Sequence, residues 1–253
     1  ALPQREPATA GRGGVPSVAQ TIATPNVDAA TLADTNALPP DTMGDVGPTQ
    51  YFVTLNGRFR TLSKTTGAAD GALDLDSDAF FAANLPAGHF TSDPRVRFDR
   101  RLNRWLVLMI SAGVPNRFLL AMSDTGTISG STVWSQFAWD NTRTEGGLGA
   151  VSCLADYPTL GVDEDALYIG VNQFCGPDVN TLNFDSTSVY VVNKQTAAAM
   201  PTGATPDAMG GAPVQLGLKT TEPAPNFVFK DSGGSEVSLA NMKGKVVVTQ
   251  SGG

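Results

Sequence analysis

SCLADYPTLGVDEDALYIGVNQFCG (152–176) is the stretch that decides the fold. A polar lead-in, ADYP, feeds a short apolar run, TLGV. A tight acidic turn, Asp163-Glu164-Asp165, feeds a second run, ALYIGVNQF, and STSVYVVNK (186–194) adds a third. Short runs rich in β-branched and aromatic residues, divided by turn residues, read as antiparallel strands. Repeated in sets of four, they read as the blades of a propeller.

The same texture runs outward from this stretch. Residues 51–56 and 58–63 read as a hairpin turning at Gly57. Residues 94–98, 104–111, 117–123 and 133–139 read as one full four-stranded unit. Its WLVLMI run (Trp105–Ile110) is continuously apolar, as befits a strand buried on both faces. Strands 159–163, 167–174 and 188–193 supply most of another unit. The units recur at roughly 40–50 residues, a blade-like period. Residues 68–92 read as a long connection with one helical turn near Phe80–Leu85. The expected class is therefore all-β: an incomplete or few-bladed β-propeller of four-stranded antiparallel sheets, since a closed ring takes four to eight blades.

Four segments follow. Residues 1–37, rich in Ala, Thr, Pro and Gly, read as a flexible lead with one short strand near Val18–Thr24. Residues 38–195 form the propeller-like domain. Residues 196–222 read as a linker poor in aromatics. Residues 223–253 carry a hairpin, NFVFKD-SGG-SEVSL, and a strand, KVVVTQ.

Composition narrows the function classes. Charged residues are 16% of the 253, against ~25% in ordinary globular chains, and the net charge is -7. The 27 glycines and 17 prolines exceed the ~12% usual for the two together. With no basic stripe, nucleic acid is not an expected partner. No run reaches the ~18 apolar residues of a membrane span. The two cysteines, Cys153 and Cys175, bracket the 152–176 hairpin, which brings its outer ends together. A disulfide is the favoured reading, and with it an oxidising compartment. The alternative is two free thiols in a cytosolic chain. The Ala-initiated sequence reads either as an export product or as an excised fragment.

Two resemblances rest on quoted motifs. PPDTMGDVG (39–47), SDPRVRFDRRLNRW (92–105), LLAMSDTGTISGSTVW (119–134) and ADYPTLGVDEDALYIGVNQF (155–174) resemble secreted bacterial β-propeller proteins, akin to the sialidase-like propellers. That likeness implies a blade hairpin at Asp93, Pro94, Val96, Phe98, Asp99, Arg104 and Trp105. It also implies a degenerate Asp-box at Ser123, Asp124, Gly126 and Trp134, with altered spacing, which argues fold and not catalysis. Residues 223–248 resemble the opening of a thioredoxin-like domain of the peroxiredoxin and thiol-disulfide oxidoreductase kind. Ala224, Pro225, Phe227, Asp231, Gly234, Val237, Leu239, Lys243, Gly244 and Lys245–Val248 carry that likeness, but no Cys follows.

Candidate chemistry is sparse. Asp41 and Asp45 are candidates for Ca²⁺, with self-bonded Asx turns the alternative. No other cofactor is expected. Asp74, Asp76 and Asp78 mimic an EF-hand, but Ala79 stands where Gly is needed and Leu85 where the closing Glu belongs. A Ser-His-Asp triad would need His89, with Ser92 or Ser111 nearest, and neither serine has an elbow context. A glycosidase would need paired carboxylates, for which Asp93, Asp156 and Glu145 can be nominated. The sialidase-like resemblance adds Arg95, Arg97 and a Tyr157 nucleophile. Trp105, Trp134, Trp139 and Phe137 read as core rather than as sugar platforms. The leading expectation is an exported, non-catalytic module for binding or scaffolding at the cell surface, its partner an extracellular protein or glycan. The alternatives are a sialidase-like hydrolase and a propeller fused to a thioredoxin-like oxidoreductase domain.

Overall fold

A computed structural model describes residues 27–35, 37–114, 116–141, 152–177 and 180–199, with the backbone of 214–219, 228–230 and 236–238. Three antiparallel sheets of four strands dominate it, and each takes its strands in chain order. The first sheet is β1 (Met43–Val46), β2 (Gln50–Leu55), β3 (Arg58–Ser63) and β4 (Ala69–Leu75). The second is β5 (Phe90–Asp99), β6 (Arg104–Ala112), β7 (Arg117–Ser123) and β8 (Trp134–Asp140). The third is β9 (Ser152–Val162), β10 (Ala166–Gly176), β11 (Asn183–Asn193) and β12 (Val214–Lys219). Short helices α1 (Leu32–Thr35), α2 (Ser77–Phe80) and α3 (Lys194–Ala199) and a two-stranded hairpin, β13 (Val228–Lys230) with β14 (Glu236–Ser238), complete the described elements. None of these sheets closes on itself.

The second sheet lies between the other two, which explains its apolar run. Alternate residues of a strand face opposite sides. Leu106, Leu108 and Ile110 of β6, with Phe118, Leu120 and Met122 of β7, pack on Leu167, Ile169, Val171 and Tyr190 of the third sheet. Trp105, Val107, Met109, Leu119 and Ala121 point the other way, onto Phe52, Phe59, Phe80 and Phe81. A strand with two buried faces cannot alternate apolar with polar.

Turn chemistry places the hairpins. Asp99 Oδ1 accepts from the N–H groups of Arg101 and Leu102 at 2.9 and 3.1 Å. Asp163 Oδ1 does the same for Asp165 and Ala166 at 2.9 and 2.8 Å. Gly57, at φ +82, supplies the left-handed residue of the two-residue link between β2 and β3. The Asp-box-like residues hold the β7–β8 connection. Ser123 Oγ accepts from Trp105 N at 2.8 Å and donates to Thr125 O at 2.6 Å. Asp124 Oδ1 accepts from Val133 N at 3.1 Å.

Several expected boundaries move. Residues 27–35, read as part of a flexible lead, lie against the first sheet, where Arg60 Nη1 donates to Ala29 O at 2.8 Å. Two stretches read as a turn segment and a connection contribute β1 and β4. Both are edge strands in which no side chain is fully buried, so they lack apolar alternation. The ADYP lead-in lies inside β9, and β12 lies inside the stretch read as a linker, paired with β11. The β13–β14 backbone pairing agrees with the hairpin read at 226–239. The strands expected near Val18–Thr24 and at KVVVTQ fall outside the described residues.

Candidate functional site

The first strands of the three sheets share an irregularity. Asp41 (φ +45) precedes β1, Asp93 (φ +55) sits in β5, and Tyr157 (φ +48) sits in β9. Proline follows the latter two, and the residue before proline avoids the right-handed helical region. In β5 the pairing jumps from Ser92↔Ile110 to Arg95↔Leu108, so Asp93-Pro94 oppose one residue. In β9 it jumps from Asp156↔Asn172 to Thr159↔Gly170, so Tyr157-Pro158 oppose one residue. Each is a β-bulge that bends the strand and spares proline a ladder bond.

These irregular segments are bonded to one another. Asn56 Nδ2 donates to Pro39 O at 2.9 Å and to Asp41 Oδ2 at 2.7 Å, and Asn56 Oδ1 accepts from Asp93 N at 2.9 Å. Asp93 Oδ2 in turn accepts from Tyr157 N at 3.0 Å, while Ser92 Oγ donates to Asp93 Oδ1 at 3.3 Å. A polar thread thus crosses all three sheets. Arg95 is 4% exposed, its Nη1 donates to Pro94 O at 2.7 Å, and its Cζ lies 4.9 Å from the Tyr157 ring centroid. Burial pushes the Asp93 carboxyl above its ordinary value against the Tyr157 N–H bond, with the charges of Asp156 and Asp41 adding to the rise. Burial also lowers Arg95, opposed by the charge of Asp93. Beside this corner lies a cleft of about 500 Å³ lined by Leu38, Asp41, Asn56, Phe90, Ser92 and Asp93 among others.

The structure therefore gathers Asp93, Arg95 and Tyr157, and Asp41 and Asp156 act on Asp93 by charge. Other nominated residues part company. Asp45 spends Oδ1 on Val46 N and Oδ2 on Phe98 N, both at 2.7 Å, away from the Asn56-bound Asp41. Among the described residues no three His, Cys, Asp or Glu side chains come together as a metal-holding group. Asp74 pairs with Arg58 and Arg60, Asp76 caps α2, and Asp78 accepts from Thr91 N at 2.7 Å. These three carboxylates serve three separate purposes, unlike a calcium loop.

His89 Nδ1 and Ser111 Oγ lie 3.1 Å apart, but Ser111 is fully buried and also accepts from Arg117 N at 2.9 Å. No carboxylate hydrogen-bonds to His89 among the described residues, so the pair lacks an orienting acid. Arg97 is exposed and donates to Val96 O at 2.9 Å. Glu145 lies outside the described residues. Trp105, Phe137 and Trp139 are buried, and Trp134 packs 5.2 Å from Phe80. Cys153 and Cys175 are register partners on β9 and β10 with sulfurs 2.09 Å apart.

Sequence reasoning overlooked the amides. Asn116 brackets Ala155, donating to its O at 2.7 Å and accepting from its N at 3.0 Å. Asn141 Nδ2 donates to Cys153 O at 3.2 Å and to Gln173 Oε1 at 3.0 Å. Lys194, fully buried, lies 2.7 Å from Asp99 Oδ2 as a close ion pair across the second and third sheets. A lone amide in a loop gives no hint of a partner dozens of residues away.

No family model matches the chain, and neither a curated protein nor a solved structure matches it. The likenesses to sialidase-like propellers and to thioredoxin-like domains therefore rest on the quoted motifs alone. No helix among the described residues is long and apolar enough to cross a membrane.

Proposed function

We propose that this chain is an exported, non-catalytic binding or scaffolding module of β-propeller type, working at the cell surface. One observation carries the reading. Carboxylates nominated for catalysis or metal binding along the first strands are engaged in bonds from sheet to sheet: Asp93 accepts from Tyr157 N and Asp45 from Phe98 N, while Asn56 accepts from Asp93 N. Carboxylates held by backbone donors build a rigid platform, and loops on such a platform bind. Sequential four-stranded sheets with neighbouring first strands support the propeller reading. The Cys153–Cys175 pair supports an oxidising compartment.

A sialidase-like hydrolase is the second reading, favoured by the meeting of Asp93, Arg95 and Tyr157. Fluorogenic sialosides and neutral glycosides decide between the two. The module reading expects the same background release from the wild type and from Asp93→Asn. Turnover that disappears in Asp93→Asn and in Tyr157→Phe replaces it with the hydrolase.

A further inference from the structure

Arg95 has an unusual set of partners for a buried cation. It is 4% exposed, yet its single hydrogen bond among the described residues runs from Nη1 to the carbonyl of its own neighbour, Pro94. Asp93, whose charge acts on it, already receives Tyr157 N on one oxygen and the Ser92 hydroxyl on the other. Nε and Nη2 find no acceptor among the described residues. A guanidinium offers five donors in a planar fork, so this one has donors to spare. One face of Tyr157 covers it, and the tyrosine keeps 59% of its surface exposed. Phe90, on the lining of the adjoining cleft, is also 59% exposed. Asp41, Asp76, Asp78, Ser92 and Asp93 line the same cleft and offer acceptors, while Arg95 and Tyr157 stand beside it and join it through Asp93.

A fitting ligand must bring acceptors for Arg95, donors for the carboxylates and an apolar face for an aromatic ring. It is not an acid, because Asp41, Asp76, Asp78 and Asp93 on the cleft would repel one, and not a simple amine, which brings no acceptor for Arg95. A pyranose meets all of these conditions, with vicinal hydroxyls on its rim and C–H groups on its face. A cleft of about 500 Å³ accommodates one to two rings. We propose that the Tyr157–Arg95–Asp93 corner and its cleft bind a neutral glycan, with a sugar ring stacked on Tyr157 and hydroxyls shared between Arg95 and Asp93. The inference rests on the module reading and names its ligand class.

Isothermal titration and saturation-transfer NMR on the full chain test it, using maltotriose, cellotriose, mannotriose and chitotriose against trigalacturonate. At least one neutral trisaccharide saturates the wild type, and trigalacturonate does not. Tyr157→Asn weakens that sugar at least tenfold with an undiminished melting temperature, because asparagine accepts the left-handed backbone. Arg95→Lys, which loses the planar fork, weakens it comparably. Three results overturn the inference: no neutral trisaccharide binds, trigalacturonate binds tightest, or Tyr157→Asn binds as the wild type does. The same spectra separate the two readings. Cleavage of a bound trisaccharide upholds the glycan and defeats the non-catalytic module. Absence of binding defeats the glycan alone and leaves the module to the glycoside assay.

Discussion

Asp93 and Tyr157 hold backbone conformations that L side chains avoid, at a cost of roughly 1–2 kcal/mol for a bulky residue. Aspartate and asparagine tolerate that region best, because their short polar side chains bond locally. Asp93 therefore suits its bulge but not its charge, since burial raises its carboxyl above the unfolded value. A raised folded value means that the folded chain holds this proton more tightly than the unfolded chain. The penalty for ionised Asp93 is absent in acid, grows as pH rises past 3.8, and is complete above the folded value. Asp93→Asn keeps an acceptor for Tyr157 N and removes the charge. Thermal unfolding should show the variant melting above the wild type at pH 7, with the gain shrinking toward zero near pH 3. The sequence displayed Asp93, Arg95 and Tyr157 as residue types suited to a site. Their meeting was hidden, because the bond from Tyr157 N to Asp93 joins strands of different sheets.

Among the elements, legibility follows burial. β6 and β10 carry side chains that a core demands, and both read as strands from composition alone. β1, β4 and β12 complete sheets through backbone pairing, which any sequence can supply. The 27–35 segment with α1 shows the same effect, because polar contacts hold it. Arg60 Nη2 meets Asp34 Oδ1 at 2.8 Å, and Arg60 Nε meets Asp74 Oδ1 at 3.0 Å. The Arg60 bond holds Asp34 well below the usual carboxylate range. Burial pushes Asp74 up, but Arg58 and Arg60 together pull it below its ordinary value. The depressed value of Asp34 stabilises docking, and that of Asp74 the sheet that receives it, above the unfolded value of 3.8; this support fades as pH falls through the folded values. Hydrogen exchange should show amides 31–35 losing protection on acidification before those of β6. Arg60→Met should expose them at neutral pH. Equal protection of both regions at all pH values would refute this account.

For the molecule as a whole, the second sheet is the keel, and the bonds to its flanks decide cohesion. Lys194 and Asp99 join it to the third sheet with almost no solvent contact. Losing one partner strands a buried charge, which typically costs about 3–5 kcal/mol. Lys194→Met should lower the urea midpoint accordingly. The double variant Asp99→Asn with Lys194→Met should recover part of the loss, because the asparagine oxygen still caps the β5–β6 turn. A single variant as stable as the wild type would show the pair to be dispensable. One full four-stranded unit, most of a second and a single hairpin of another were legible in the sequence. How they stack was not, since the decisive contacts lie between units rather than within them.

The chain-order pairing of β1–β4, β5–β8 and β9–β12 has a consequence for biosynthesis. No strand in any of these sheets awaits a partner from a distant part of the polypeptide. Each sheet can zip shut once its own segment is free to fold and present a finished surface for the next. Growth by accretion of this kind tolerates duplication: one more unit stitched into the gene would meet a template already standing.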